Sequence, residues 1–478
     1  MPVGKATHGS PKDAAALAAA NGGVHERSRE RYRRLPTGTH GLDPKEVRRD
    51  QRERLQQAMI ELISKRGYRA VRILDVTKLA RVSRPTFYEL YADKEALFIG
   101  AYDEIAGRAA KTVVEVFDAQ GTAEEHLRAG IRAFVELAAA EPQAMSLFVL
   151  GAFGAGQKAL ERRKQTLQAL EQVVASSRDP ASSRPGTDLT VKLLIGGVRE
   201  VTAARLRTGR SAELPEIAGE LATWASSYPL KLPRALRLPA TSGGAAAPAR
   251  RTATARPSRR AKGPLPSGRH ALSRQFIVQN QRERILDATA ATIAAKGLAG
   301  LTIPEIARRA NVSHQTFYEI YPTKHDAYLG ALKVSLHQAL LVTAKAFEEH
   351  AGDWPRGVAG GARALIDYVS SEPDYSHLSL VDTFAASPDA IDIRAEALGS
   401  FSQYLAAGYR AAPGRPAPPA IAAEAIIGGV WQILHDYVDD ERTAELADLV
   451  PQLVYLTLVP FLGPRAAAQA SIDCATRR

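Results

Sequence analysis

The chain contains the same segment twice. Residues 52–101 align with 282–331 at a constant offset of 230 without a gap, and 18 of the 50 positions are identical. The matches include Arg52-Glu53-Arg54 with Arg282-Glu283-Arg284, Gly67 with Gly297, and Thr86-Phe87-Tyr88-Glu89 with Thr316-Phe317-Tyr318-Glu319. A second echo follows at offset 232, where Ile195-Gly196-Gly197-Val198 resembles Ile427-Gly428-Gly429-Val430. A near-constant offset over 478 residues implies duplication of a whole unit of about 200 residues, far longer than a solenoid repeat.

Between the copies runs PATSGGAAAPARRTATARPSRRAKGPLPSGRHA, a Pro/Gly/Ala/Arg stretch with no periodic apolar face, which reads as a linker. The net charge of +12 concentrates outside the repeats: residues 1–50 carry +4 and residues 233–275 carry +10, leaving −2 for everything else. Basic segments of this kind attract polyanions, nucleic acid above all, without reading sequence; a solvated linker has the same composition. The single cysteine, Cys474, allows neither an intrachain disulfide nor a cysteine-based zinc site. With no apolar run near the length of a membrane span and no secretory signal pattern at the start, the expectation is a cytoplasmic protein with no membrane association.

Both copies have helical periodicity. Leu55, Ala58, Met59, Leu62 and Ile63 follow the i, i+3, i+4, i+7, i+8 stripe of a buried helix face, and Ile285, Ala288, Thr289, Thr292 and Ile293 repeat it with less apolar character. Gly67 and Gly297 then stand as helix stops. Two short helices are expected next in each copy, Ile73–Ala80 and Arg84–Tyr91, then Ile303–Ala310 and His314–Tyr321. Each pair is broken by a three-residue turn, with Ser83 and Ser313 as N-caps. Thr302-Ile303-Pro304-Glu305 offers a capping box that Arg72 denies to the first copy. Two short helices across a tight turn, packed on a longer one, make a helix-turn-helix unit.

The runs ILDVTKLARVSRPTFYELYADKEAL and TIPEIARRANVSHQTFYEIYPTKHDAY resemble the DNA-binding signature of the TetR family of bacterial transcriptional regulators. The resemblance covers about 50 residues per copy; the helical sequence after each fits that family's variable regulatory domain in length and helix content. Arg81 and Asn311 replace the small residue usual before Val-Ser, and Thr77 replaces the usual alanine. The implied fold is all-α, two tandem copies of a three-helix helix-turn-helix domain plus a helical regulatory domain. The expected divisions are 1–45 (basic tail), 46–100 and 275–330 (helix-turn-helix), 101–232 and 331–465 (regulatory), 233–274 (linker) and 466–478 (tail).

In a helix-turn-helix the second short helix presents its N-terminal residues to the major groove. Those are Arg84, Pro85 and Thr86 in one copy, and His314, Gln315 and Thr316 in the other. Arg suits guanine O6 and N7, Gln suits adenine N6 and N7, and Thr methyls suit thymine. Phe87, Phe317, Tyr91 and Tyr321 are expected inside, Tyr88 and Tyr318 outside. The resemblance implies that Tyr88 and Tyr318 hold backbone phosphates, and that Lys94 and Lys324 do so from the start of the fourth helix. Asp93 and Thr323 are suitable caps there. Glu89 and Glu319 suit a DNA backbone poorly and are expected to turn aside or to set specificity against some sequences.

The resemblance further implies that the last two helices of each unit, Leu189–Thr208 with Ala212–Tyr228 and Ala420–Asp440 with Thr443–Phe461, join a four-helix bundle. Gly196-Gly197 and Gly428-Gly429 would permit close approach. The partner is then the other half of the chain, an intramolecular pseudo-dimer, or a second chain in a homodimer. A linker of about 40 residues reaches roughly 32–38 Å, comparable with one turn of DNA. The family also implies a small apolar ligand in each regulatory domain, and Phe148, Phe153, Phe384, Tyr404 and Trp431 are candidate lining residues. HExxH, Walker lysine, GxSxG and Cys/His metal patterns are lacking, so neither enzyme activity, metal nor cofactor is expected. The expectation is a sequence-specific, ligand-responsive repressor that binds double-stranded DNA, with a DNA-anchored scaffold lacking an inducer as the alternative.

Overall fold

A computed structural model describes residues 43–117, 121–178, 188–229, 231–236, 273–411 and 414–476, and every regular element among them is a helix. The basic tail and the linker lie almost wholly outside the described residues. In the first half, α1 (Pro44–Ala70) is followed by α2 (Ile73–Ala80), α3 (Arg84–Leu90), α4 (Lys94–Phe117) and α5 (Ala123–Ala140). A broken helical stretch over 142–155 contains a π-helical turn, Leu147–Gly151, and leads to α6 (Gln157–Arg178), α7 (Leu189–Arg207) and α8 (Leu214–Ser226). The second half repeats the order with α9 (Arg274–Lys296), α10 (Ile303–Ala310), α11 (His314–Ile320), α12 (Lys324–Glu348), α13 (Trp354–Ser371), α14 (Pro373–Leu380), α15 (Pro388–Gln403), α16 (Ala422–Asp439) and α17 (Leu446–Leu462). The final segment, expected as a tail, forms a further helix, α18 (Pro464–Thr476), with Ala467 and Ser471 buried.

The repeated stripes face inward. Leu55, Ala58, Met59 and Leu62 are buried on α1, and the helical path breaks at Gly67, φ +71°. On α9 all five stripe positions are buried, threonines included. Thr289 and Thr292 reach that state because their hydroxyls donate to the Ile285 and Ala288 carbonyls one turn back, at 2.7 and 2.6 Å. Gly297 ends α9 at φ +67° and donates to the Ile293 carbonyl at 2.7 Å. The first helix-turn-helix has a core of its own, built from Leu55, Met59, Val76, Phe87 and Leu97, whereas Ile285, Ile306, Phe317 and Tyr321 of the second merge with the main core.

The two halves pack through α7 and α16. A β-carbon on Gly197 would lie 2.5 Å from the Ala425 carbonyl oxygen, and one on Gly429 would lie 2.4 Å from that of Leu193. Only glycine admits such contact, because the obstacle is backbone and cannot rotate away. Around the crossing, Tyr228 Oη donates to the Leu456 carbonyl at 3.0 Å and Gln452 Nε2 to the Leu236 carbonyl at 2.6 Å. Helices α8 and α17 complete a bundle of four. Thr443–Leu462 is long and apolar enough to cross a bilayer, but most of it is buried inside the fold, as a core helix would be.

Candidate nucleic-acid interface

The turn between the short helices is left-handed in both copies: Arg81 adopts φ 52°, ψ 42°, and Asn311 φ 50°, ψ 50°. This αL residue lets Val82 N–H close back on the Thr77 carbonyl at 3.1 Å and Val312 N–H on that of Ala307 at 3.0 Å. Thr77 fits where alanine was expected, because its hydroxyl donates to the Leu74 carbonyl at 3.2 Å. Ser83 and Ser313 then cap α3 and α11, accepting from the Thr86 and Thr316 amides at 3.1 and 2.9 Å.

The expected capping contrast is corrected: each copy keeps one half of the box. The Asp75 carboxylate accepts from Arg72 N–H at 3.1 Å, whereas Thr302 Oγ1 accepts from Glu305 N–H at 3.4 Å. The Glu305 carboxylate does not return to Thr302, because Arg308, Arg309 and Lys296 engage it. Their hydrogen bonds hold it well below the usual carboxylate range.

One pair of residues in the unit went unread in the sequence. Arg54 donates from α1 to the Ala80 carbonyl at 3.0 Å, and Arg284 donates from α9 to Ala310 and Asn311. A guanidinium therefore covers the C-terminal carbonyls of α2 and of α10, where cations are favoured. The repeated Arg-Glu-Arg at identical offset was the available signal.

On α3 and α11, Phe87 and Phe317 are fully buried and Tyr91 and Tyr321 nearly so, as expected. Arg84, Pro85, His314 and Gln315 are exposed, while Thr86 and Thr316 are half-buried. Tyr88 and Tyr318 are 50% and 57% exposed, and each ring stands edge-on to the neighbouring Phe. Both rings are therefore half in water while packing on a core phenylalanine. Glu319 accepts from Gln315 Nε2 at 3.1 Å, so it is turned along its own helix.

Lys94 and Lys324 sit at the starts of α4 and α12, but their ammonium groups turn toward protein carbonyls. Lys94 Nζ donates to Tyr68 and Val71 at 3.1 and 2.9 Å and lies 4.0 Å from the Tyr68 ring centroid. Lys324 Nζ donates to Leu301, the equivalent of Val71, at 2.7 Å. Burial pulls the Lys94 ammonium below the usual lysine range. Each lysine thus ties the fourth helix to the loop ahead of the first short helix. Asp93 caps α4 through Ala96 N–H at 2.7 Å, and Thr323 with Asp326 forms a reciprocal box on α12.

In the first half, Val113, Phe134, Val174, Leu194 and Val198 help to line an apolar cavity of about 70 Å³ between α4, α5, α6 and α7. The stem of Arg199 forms part of its wall, while the Arg199 guanidinium reaches the Val149 carbonyl of the π turn at 3.3 Å and Gln432 Oε1 of the other half at 3.4 Å. Of the described aromatic candidates, Phe148, Tyr404 and Trp431 do not line this cavity. Phe148 is packed on Tyr102, Tyr404 on Phe347, and Trp431 lies under Arg394 at the seam; the side chains of Phe153 and Phe384 lie outside the described residues. No cluster that would hold a metal ion occurs among the described residues.

The family model for bacterial regulatory proteins of the tetR family matches at residues 57–101 and again at 285–327. No curated protein matches the chain. Among solved structures, a TetR-like transcriptional regulator from Rhodococcus sp. RHA1 is similar at 17% identity and TM-score 0.32, over 38% of this chain and 96% of that one. The fatty acid degradation regulator FadR from Bacillus halodurans is similar at 15% identity and TM-score 0.33, over 39% and 96%. Two family matches one repeat apart, each falling on a capped helix-turn-helix, give the chain two DNA-binding regions of the tetR family in tandem.

Proposed function

We propose that the chain is a ligand-responsive repressor in which two unlike reading heads, joined as an intramolecular pseudo-dimer, recognise two unlike half-sites. The observation that carries this is the packing of α7 on α16 within one chain, behind heads whose exposed residues differ. Arg84 would read guanine, Gln315 adenine, and Thr86 and Thr316 thymine methyls, with Pro85 and His314 shaping their approach. Tyr88 and Tyr318 would donate hydroxyl hydrogens to phosphates. Lys94 and Lys324 keep ammonium donors beyond their carbonyl bonds, and the fourth-helix N-termini add positive potential.

A neutral apolar molecule suits the cavity in the first regulatory domain. At about 70 Å³ the space is smaller than the roughly 150 Å³ that accommodates benzene, so a larger guest must spread α4 from α5 and α7. Because α4 begins at Lys94, beside the first head, such spreading would move that head relative to the other. Affinity for DNA would then fall by the ratio of ligand affinities for the two arrangements.

Selection of bound duplexes from a random pool, with full-length protein at about 150 mM salt, tests the reading. Two different half-sites about one helical turn apart are expected. A perfect palindrome would contradict the use of both heads, and enrichment no better than a salt-sensitive background would remove the repressor reading altogether.

A further inference from the structure

We infer that the seam between the halves carries a charge code, one that makes each half complementary to its unlike partner and repels like halves of other chains. The inference rests on the reading that one chain supplies both members of the pair.

The backbone of the seam is close to twofold. Gly196 faces Gln432 while Gly428 faces Glu200, and Gly197 faces Ala425 while Gly429 faces Leu193; each pair is its mate shifted by 232 residues. Backbone shape alone therefore allows three pairings: first half with second, first with first, and second with second.

The charges do not share that symmetry. The helices run antiparallel, and α7 carries a cation near each end while α16 carries an anion near each end. Lys192 Nζ meets Asp436 Oδ2 at 2.8 Å, and Arg205 meets Glu424. Applying the 232-residue shift, a pair of first halves would set Lys192 against Ala204 and Arg205. A pair of second halves would set Glu424 against Asp436 and Tyr437. Both like pairings bring together equal charges that are largely withdrawn from water, which is costly.

Two flanking contacts repeat the bias. Lys164 of α6 reaches Asp439 at 3.3 Å, and Arg207 of α7 reaches Asp392 of α15; in both the first half supplies the cation. The Arg394–Glu200 pair runs the other way, at 2.8 Å. Its counterpart, one residue off that shift on the arginine side, is Arg163 with Gln432 at 3.4 Å, so like pairings would retain an arginine opposite an acceptor and this contact does not discriminate. Glu171 also bonds Lys192, at 3.1 Å, from within the first half and is present in any pairing.

The test inverts the code without changing net charge. The full-length R205E/D436K variant places an acid opposite Lys192 of a like half and a base opposite Glu424 of a like half, while repelling the unlike pairing at both ends. Light scattering without DNA should give 51.4 kDa for the wild type, twice that for R205E/D436K, and a return to one chain for K192E/R205E/E424K/D436K. K192E/E424K makes the same inversion from the opposite residues. Either inverted variant remaining folded at one-chain mass overturns the code, as does a fourfold variant that fails to fold. Unfolding of both inverted variants, with recovery in the fourfold one, supports it. A wild type of two-chain mass instead overturns the one-chain reading beneath it.

Discussion

Arg81 and Asn311 occupy the same left-handed turn, with φ values of 52° and 50°, although one carries a long side chain ill-suited to that region and the other a short polar one that tolerates it. For an ordinary L-residue the conformation costs about 1–2 kcal/mol. Its recurrence in both copies means that the turn, rather than the residue, is what the helix-turn-helix requires.

Arg81→Gly should therefore stabilise the first head by about 0.5–1 kcal/mol, the strain released less the larger unfolded-state entropy of glycine. Arg81→Val should destabilise it, since a branched β-carbon is least tolerated at positive φ. Amide hydrogen exchange over residues 82–91 measures both effects, with 312–321 of the same molecule as the unchanged reference.

Gly197→Ala and Gly429→Ala should each cost about 1–3 kcal/mol, because the added carbon would press on a backbone carbonyl across the seam. Gly107→Ala, on α4, where nothing lies within 4 Å, should instead stabilise by about 0.5–1 kcal/mol through helix propensity. Thermal unfolding of the three variants separates close packing from glycine's intrinsic effect; equal shifts of one sign would contradict the seam geometry.

Acid should loosen the seam. Burial pushes the Asp436 carboxyl up, but the His435 hydrogen bond and the Lys192 charge outweigh it and hold the group below its ordinary value of 3.8. A depressed folded value means that the stabilisation is complete above about pH 4 and is lost as pH falls through the folded pKa. The unfolding midpoint of the wild type should thus fall below pH 4 more steeply than that of Asp436→Asn, which should be less stable at neutral pH by about 1–3 kcal/mol. Parallel pH profiles would refute the assignment.

Tyr88→Phe keeps the ring against Phe87 and removes only the hydroxyl. It should weaken DNA binding about equally across sequences and reduce affinity by roughly the worth of one hydrogen bond, about 0.5–1.5 kcal/mol. Arg84→Ala should lose about 1–3 kcal/mol selectively, at one base position. Lys94→Ala should lower both affinity and the stability of the first head, because Tyr68 and Val71 lose their donor. Titrations against matched and mismatched duplexes distinguish uniform from positional losses.

The duplication, the helical period, the serine caps and the buried Phe87 and Phe317 were all legible in the linear chain. They depend on interactions between residues a few positions apart, and offset 230 supplied a second reading of each. Even there, side-chain competition escaped notice: Glu305 was drawn from its capping box by Arg308, Arg309 and Lys296, and Thr289 and Thr292 were buried by back-bonding. The fourth-helix lysines could be placed at a helix start, but their turn toward the Tyr68, Val71 and Leu301 carbonyls depended on a loop more than 20 residues away.

The seam lay beyond such reasoning. Gly196-Gly197 and Gly428-Gly429 marked where helices could approach, yet nothing local said that Lys192 would meet Asp436 or that Arg205 would meet Glu424. The sequence by itself determined two helix-turn-helix units and their inner and outer faces, since period, caps and turn conformation are short-range properties of a chain. Only the tertiary structure decided that the two halves of one chain share a bundle, where an apolar cavity is left, and which charges pair, because those follow from packing between residues tens to more than 200 positions apart.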